Sequence, residues 1–272
     1  MALGGETDGR REGRRTGPLD AGLDEAVLRG QTRAHRLLVT RAKQRVADHL
    51  ADCPDSYVSW SGGKDSTVVA AMADDAQPRI PIVHYASGLD FPETLSYQDQ
   101  LAAAQEWRFD RIQTGDITEH MVSGGSWEHG NDRVYDREAF FHDAIKGPEV
   151  EARRRYGDGL LWGLRASESR RRHAMLSKTG GRHHRSDGVI TLSPIWDWWD
   201  ADVWAYLTNR GLPANPVYQK LADVGAPPEA QRVSVIVDSG GIRRGRMTWL
   251  RRGWPDLWRK YTEVFPRLKE FG

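Results

Sequence analysis

The chain has 272 residues and a formal net charge of +1 at pH 7, so its overall charge indicates neither a nucleic acid nor a membrane as partner. Its single cysteine, Cys53, excludes an intramolecular disulfide and any iron–sulfur or zinc site built only from cysteines of one chain. One cysteine fits a reducing cytoplasm, and neither a membrane-spanning run nor the apolar core of a signal peptide is predicted.

The first 19 residues are rich in glycine and arginine and lack apolar periodicity, which predicts a disordered arm. A helix is predicted over 22–51, because apolar residues recur every four positions from Leu38 to Leu50. The arginines and lysines on its other faces are interpreted as a solvated surface.

A predicted strand over 56–60 and a predicted helix over 65–74 enclose a turn of small and charged residues. Such a loop binds anions, because the first amides of a helix are unpaired within it and the helix dipole favours negative charge. The Walker motif does not fit, since Val58 stands where that motif needs glycine and Asp65 where it needs serine or threonine. We therefore predict a phosphate-binding loop with the sequence Ser61-Gly62-Gly63-Lys64-Asp65-Ser66.

The next elements repeat the alternation of strand and helix. An apolar run over 80–86 predicts a buried parallel strand, which ends at a turn and helix start over 87–94. A helix over 93–106 and a strand over 109–113 follow. The alternation predicts an α/β fold with a doubly wound, mostly parallel sheet, in which ligands bind beyond the carboxyl ends of the strands. Both turns are expected to face one crevice.

The polar segment 114–157 is predicted to contain a mobile loop at 124–127 and a helix over 134–156. A buried strand over 159–164 runs into a stretch, 165–185, with seven arginines or lysines and a single acid. We interpret this stretch as positive charge added to the crevice, while a solvated basic helix face remains the alternative.

The rest of the chain is predicted to hold one more strand and then helices. An exposed loop is predicted over 178–187, without a metal site at its histidines, and a final strand over 189–192. Asp200 is predicted to cap the following helix. Residues 242–254 carry five arginines and no acid, interleaved with tryptophans, which suits either nucleic-acid binding or an amphipathic helix. The candidate nucleic-acid contacts are Arg243, Arg244, Arg246, Trp249, Arg251 and Arg252.

Four segments together resemble one protein family. The loop Ser61–Ser66 resembles the PP-loop of the ATP pyrophosphatase superfamily in all six residues. Segments 87–94, 163–172 and 194–218 resemble the phosphoadenosine-phosphosulfate reductase-like branch of that superfamily. The resemblance implies an adenine nucleotide alpha hydrolase-like domain over 20–215, and we expect a helical, Trp- and Arg-rich extension over 216–272.

The resemblance also implies the roles of individual residues. ATP is expected to place its pyrophosphate on the loop, with Lys64 and Mg²⁺ offsetting charge, Asp65 as a metal ligand, and Arg165 and Arg172 at the reacting phosphate. Neither an iron–sulfur cluster nor a flavin is expected. The expected ATP- or phosphate-binding residues are Ser59, Ser61, Gly62, Gly63, Lys64, Asp65, Ser66, Tyr85, Gly88, Glu93, Thr94, Gly163, Arg165 and Ser169.

One departure from the branch decides the expected reaction. The reductases end in a segment whose cysteine attacks the sulfonucleotide, and here no cysteine follows Tyr218. We therefore expect cleavage of ATP to AMP and pyrophosphate, with adenylation of an acceptor, rather than reduction. Sulfur incorporation with a partner cysteine desulfurase, as in DNA phosphorothioation, is the expected context, and a homo-oligomer is compatible with it. The alternatives are a sulfate-adenylylating subunit, a reductase-like protein, or a nucleotide-gated nucleic-acid-binding accessory protein.

Overall fold

A computed structural model of the chain describes residues 18–86, 88, 90–113, 146–233, 246–264 and 266–272. The first 17 residues of the predicted arm, the predicted loop at 124–127, and Arg243 and Arg244 lie outside this part. Across the described residues, no helix is long and apolar enough to cross a membrane.

The described strands form one six-stranded sheet. They are β1 (Ser56–Ser59), β2 (Ile82–Ala86), β3 (Phe109–Gln113), β4 (Gly159–Leu161), β5 (Arg182–His184) and β6 (Ile190–Leu192), in the spatial order β3-β2-β1-β4-β6-β5. All neighbouring pairs are parallel except β5 with β6. The predicted doubly wound, mostly parallel sheet is confirmed. The carboxyl ends of β1, β2, β4 and β6 consequently share one edge, at which the sequence predicts a crevice.

Helices of the described part cover both faces of this sheet and continue beyond it. The longer helices are α1 (Pro18–Gly30), α2 (Arg33–Asp52), α3 (Lys64–Ala76), α4 (Pro92–Ala104), α5 (Gly147–Tyr156), α6 (Arg170–Thr179), α7 (Asp200–Asn209), α8 (Pro216–Asp223), α9 (Arg246–Gly253) and α10 (Pro255–Val264). Short 3₁₀ turns lie at Ala166–Glu168, Pro228–Ala230 and Pro266–Phe271.

Three sequence predictions of secondary structure are wrong in detail. The helix predicted over 22–51 is two helices, because Thr32 caps α2 by accepting a hydrogen bond from the His35 amide at 3.1 Å. The exposed loop predicted over 178–187 contains β5, a short polar edge strand. Asp200 does not cap α7; the N-cap is Trp199, whose amide donates to the Asp202 carboxylate at 3.0 Å.

The packing of β1 fixes the strand from which the predicted loop departs. Tyr57 and Val58 point to opposite faces and are both fully buried, as expected for a strand covered on both sides. Trp60, also fully buried, packs edge-on against Trp107 and Phe109 with ring centroids 5.1 and 5.3 Å apart. Aromatic packing of this kind holds the end of β1 rigidly in the core.

A second apolar cluster joins the C-terminal helices to the sheet domain. Phe91, just before α4, is buried against Trp254 with ring centroids 4.7 Å apart, and Tyr218 and Leu250 belong to the same cluster. The helices that follow α7 therefore pack directly against the elements that border the crevice.

Candidate functional site

The predicted phosphate loop is a tight turn between β1 and α3. Gly62 has φ +75°, a left-handed conformation that suits glycine. The Ser61 and Ser66 hydroxyl oxygens lie 3.2 Å apart, and Ser66 Oγ also donates to the Gly63 carbonyl at 3.0 Å. Ser61 Oγ accepts a hydrogen bond from the Gly63 amide at 3.4 Å. The two serines thus hold the loop in shape at the positive end of the α3 dipole.

Side chains of α4 and β2 support this loop from behind. The Trp60 carbonyl accepts a hydrogen bond from Gln98 Nε2 at 3.1 Å and lies 3.2 Å from His84 Nδ1. The Trp60 indole donates to Thr67 Oγ1 at 2.9 Å, which ties the strand end to the first turn of α3. All four side chains are buried, so the loop has little freedom to move.

Residues of the C-terminal part complete the loop. Asn215 Nδ2 donates to the Gly62 carbonyl at 3.1 Å and to Thr94 Oγ1 at 3.0 Å. The Tyr218 hydroxyl accepts a hydrogen bond from the Lys64 amide at 3.1 Å, and Lys64 Nζ lies 5.8 Å from the centre of the Tyr218 ring. The amide that begins α3 is therefore paired by a side chain from α8.

Four charged side chains form a closed ring above the loop; we call Lys64, Asp65, Arg165 and Asp200 the charge ring. Lys64 Nζ lies 3.0 Å from both Asp65 Oδ2 and Asp200 Oδ1. Arg165 Nε lies 2.5 Å from Asp65 Oδ1, and its terminal nitrogen lies 2.9 Å from the same Asp200 Oδ1. Each cation thus contacts both carboxylates, and the ring carries no net charge.

Exposure separates Asp200 from the other members of the charge ring. The side chains of Lys64, Asp65 and Arg165 are 10, 15 and 5% exposed, whereas that of Asp200 is 56% exposed. Burial disfavours the charged form of Asp200, but Lys64 and then Arg165 outweigh it and lower the pKa of this carboxyl group. Burial likewise opposes the charge on Lys64, yet the neighbouring Asp65 leads the effects that raise the pKa of its ammonium group.

Gly163 brings the end of β4 against the start of α3. A Cβ placed there would lie 2.6 Å from the Asp65 carbonyl carbon and from the Ser66 amide nitrogen, both backbone atoms. Only glycine allows this approach, which carries Arg165 into the charge ring.

Arg172, predicted at the reacting phosphate, and Ser169, predicted to bind ATP or phosphate, are not members of the charge ring. Arg172 pairs with Glu168, whose other oxygen lies 3.6 Å from Arg232. Ser169 caps α6 by accepting from the Arg172 amide at 3.2 Å. Glu168 also accepts from the Arg165 amide at 3.0 Å, so this group positions the backbone of Arg165.

The predicted residues of the second turn serve mainly as supports. Thr94 is fully buried, and its hydroxyl donates to the Val233 carbonyl at 2.6 Å. Glu93 lies 2.8 Å from both Lys220 Nζ and Trp254 Nε1, away from the charge ring. Gly88 has φ +75° and open space around it.

Tyr85 and Ser59 lie on β2 and β1. The Tyr85 hydroxyl donates a hydrogen bond to the Tyr57 hydroxyl at 3.2 Å, in the cluster on the sheet face covered by α5. Burial raises the pKa of Tyr85. Ser59 is the last residue of β1 and is half-buried. The structure therefore brings together Lys64, Asp65 and Arg165, but not every residue that the motifs indicated.

The predicted nucleic-acid contacts divide by burial. Arg246 is only 3% exposed, donates to the Arg232 carbonyl at 2.7 Å and lies over the Phe91 ring, so it is a packing residue. Trp249 is half-buried against the C-terminal cluster, whereas Arg251 and Arg252 are exposed on α9.

Sequence reasoning missed three contributors to the site: Asn215, Tyr218 and Asp200. Asn215 precedes Pro216 at the start of α8, a pattern typical of a helix cap, and its amide reaches the loop as well. Asp200 begins the helix after β6 and so lies at the sheet edge where the crevice was expected. Its position on the first helix after this strand was the signal by which the sequence could have indicated Asp200 as a site residue.

The chain is similar in sequence to known proteins. The phosphoadenosine phosphosulfate reductase domain matches residues 55–231. The chain is 31% identical over 189 residues to a phosphoadenosine 5'-phosphosulfate reductase of Xanthomonas oryzae pv. oryzae, covering 66% of this chain and 73% of the relative. A protein of the same name from Alteromonas mediterranea is 30% identical over 187 residues, covering 66% and 71%.

Solved structures support the fold. A phosphoadenylyl-sulfate reductase from Candida auris superposes with a TM-score of 0.51 at 20% identity, covering 70% of this chain and 88% of that one. An FMN adenylyltransferase from Candida glabrata, in complex with FAD and inorganic pyrophosphate, gives 0.51 at 10% identity, covering 73% and 67%. At these identities the likeness concerns the fold, and it agrees with the predicted fold class.

Proposed function

This chain belongs to the phosphoadenosine phosphosulfate reductase family, and we propose that it uses the family's fold to cleave ATP to AMP and pyrophosphate while adenylating an acceptor. The observation that carries the proposal is the convergence of Lys64, Arg165 and the α3 N-terminus at the phosphate loop. One buried cation, Arg165, one partly buried cation, Lys64, and a helix dipole are suited to a polyphosphate rather than to a neutral ligand.

The proposed reaction follows from where these groups lie. An acceptor oxygen attacks the α-phosphorus of ATP, the bond between the α-phosphorus and the bridging oxygen breaks, and pyrophosphate leaves with the electron pair. The AMP group stays on the acceptor and the acceptor's proton passes to solvent, and free AMP is the product when water is the acceptor. Residues 61–66 hold the β- and γ-phosphates, and Lys64 offsets the charge that develops on the leaving group. Arg165, held by Asp65 and by its own backbone contact to Glu168, faces the reacting phosphate.

The residues also fit Mg²⁺ as a companion of the nucleotide. Mg²⁺ prefers oxygen ligands and usually takes one or two carboxylates plus substrate phosphates, and Asp65 and Asp200 supply two carboxylates beside the loop. Within the described residues no group of three or more His, Cys, Asp and Glu side chains could hold a metal ion. When bound, Mg²⁺ supplies charge neutralisation on the leaving pyrophosphate.

We place this activity in sulfur incorporation, with a cysteine desulfurase as the sulfur donor and DNA phosphorothioation as the candidate pathway. The exposed arginines of α9, Arg251 and Arg252, support contact with a nucleic acid. The acceptor would then be a phosphate or sugar oxygen of DNA activated by adenylation.

Reduction of a sulfonucleotide is the second candidate, because the relatives carry that name. It needs a thiol at the crevice, and the only cysteine, Cys53, follows α2 and precedes β1, at the opposite edge of the sheet. We therefore expect no sulfite from phosphoadenosine phosphosulfate and a dithiol reductant, and sulfite release would favour the reductase activity.

The test is ATP cleavage with Mg²⁺, followed by separation of the nucleotides. We expect AMP and pyrophosphate, and a loss of at least about 100-fold in Lys64→Ala, the range for removing one transition-state donor. Lys43→Ala is the matched control. Lys43 lies on the outer surface of α2, where it pairs with Asp75 of α3. ADP as product, or full activity of Lys64→Ala, would contradict the proposal.

The remaining candidates predict different results in assays of pyrophosphate release, ATP binding and DNA binding. Pyrophosphate release that depends on added sulfate would favour a sulfate-adenylylating subunit. ATP binding without cleavage, together with strong and salt-dependent DNA binding, would favour a nucleotide-gated accessory protein.

A further inference from the structure

Asp200 occupies the place at which an anionic ligand would contact the two cations of the crevice. A single oxygen, Asp200 Oδ1, lies 3.0 Å from Lys64 Nζ and 2.9 Å from the Arg165 guanidinium. Its other oxygen accepts a hydrogen bond from Trp204 Nε1 at 3.0 Å, which orients the carboxylate toward the charge ring. Asp200 thus makes the contacts that a phosphate oxygen would make.

An incoming anion must exchange with this carboxylate. Asp200 is the most exposed member of the charge ring and begins a helix, so it is the member that can leave. The side chains of Lys64, Asp65 and Arg165 are only 10, 15 and 5% exposed. After the exchange, the Asp200 carboxylate stands beside the phosphate oxygens without its two cations, and like charges at that distance repel.

A divalent cation removes this repulsion. Two carboxylates and a polyphosphate together supply oxygen ligands and negative charge, and both favour Mg²⁺. A metal-free anion of the same size gains nothing from Asp200. The charge ring therefore favours ligands that carry a bound divalent cation over ligands that do not.

Resting on the proposed function, we propose that Asp200 is a specificity-determining residue that selects metal-complexed polyphosphates, such as Mg·ATP, over metal-free anions such as a sulfonucleotide. The substrate class of the crevice is then a nucleoside triphosphate with its divalent cation. Asp200 does not take part in bond breaking; it sets which ligand is bound.

The experiment measures binding of inorganic pyrophosphate by titration calorimetry, once with Mg²⁺ and once with a chelator. The variant is Asp200→Asn, which removes the charge while keeping an oxygen to accept from Trp204. The control is Asp197→Asn, which removes an equal charge from the same segment, where Asp197 pairs with Arg45 at 2.7 Å. Circular dichroism melting checks that each variant folds.

We expect Asp200→Asn to bind metal-free pyrophosphate roughly tenfold more tightly than the wild type, a change of about 1.4 kcal/mol. The enhancement by Mg²⁺ should fall by a similar factor, and Asp197→Asn should match the wild type in both conditions. If the wild type binds with Mg²⁺ but Asp200→Asn shows no gain without metal, the inference about Asp200 is overturned and the proposed function stands. If the wild type binds pyrophosphate in neither condition, the proposed function fails, and the inference fails with it.

Discussion

Replacing Gly163 by alanine tests the contact on which the charge ring depends. The added Cβ would lie 2.6 Å from the Asp65 carbonyl carbon and the Ser66 amide nitrogen, and 2.9 Å from the Asp65 carbonyl oxygen. Ordinary contacts begin near 3.4 Å. Because all three atoms belong to the backbone, neither a rotamer change nor a flexible side chain can relieve the clash. The end of β4 and the first turn of α3 must move apart.

The size of the effect follows from that movement. Overpacking in a dense interior typically costs about 1–3 kcal/mol. In a protein of this size each kcal/mol corresponds to a shift of roughly 2–4 °C in melting temperature, so we expect Gly163→Ala to melt about 2–12 °C lower. The displacement also separates Arg165 from Lys64, and a misplacement near 1 Å costs about 100-fold in rate. ATP cleavage should therefore fall further than the stability loss alone would explain.

The assay compares Gly163→Ala with Gly253→Ala by thermal melting and by AMP formation. A Cβ at Gly253 would lie 3.4 Å from Val224 Cγ1, an ordinary van der Waals contact. If the two variants melt together and both retain full ATP cleavage, the close approach of β4 to α3 does not exist as described. Loss of activity in both variants would point instead to a general sensitivity of the fold.

Two further predictions concern the support of the loop and the pH dependence of stability. Tyr218→Phe removes the oxygen that occupies the Lys64 amide, so this amide is free to donate to a bound phosphate, and we expect pyrophosphate affinity to rise roughly fivefold, the equivalent of about 1 kcal/mol, in calorimetric titrations; unchanged affinity would contradict that role. Burial lowers the pKa of His49 from 6.5 to about 4, so this histidine is neutral in the folded state and takes up a proton on unfolding as pH falls below 6.5. Stability should fall between pH 6.5 and 4 by up to about 3 kcal/mol from this group, and urea denaturation should show a shallower pH dependence over that window for His49→Gln. Parallel pH curves for the two proteins would refute the assignment.

Much of the fold could be predicted because its strands are short, apolar and buried. The runs that became β1, β2 and β4 are covered on both faces, and such strands stand out in a sequence. β5 was missed for the opposite reason: Arg182, His183 and His184 form a polar edge strand, which has no apolar pattern to detect. Tertiary pairing with β6 decides its conformation.

The site could be predicted only as far as each motif is local. The loop, its lysine and the arginine after β4 were found because each follows a strand end directly. The sequence predicted Asp200 as a helix cap, because Asp is a preferred N-cap residue at the start of a helix such as α7. Its actual contacts depend on the neighbouring positions of β4 and β6 in the sheet, which place residues 64, 165 and 200 together across more than 100 positions of sequence.

The position of Cys53 bears on which chemistry this crevice can perform. Cys53 is the C-cap of α2 and lies before the first residue of β1, whereas the charge ring lies beyond the last. A four-residue strand rises about 13 Å, and nucleophilic attack needs the reacting atoms within about 3.5 Å. The Cys53 thiol therefore cannot reach an anion bound by Lys64 and Arg165, and a thiol for reduction would have to come from outside these 272 residues. Phosphoryl activation needs only the groups already gathered at the loop, which is why we propose nucleotide activation, rather than reduction of a sulfonucleotide, for this site.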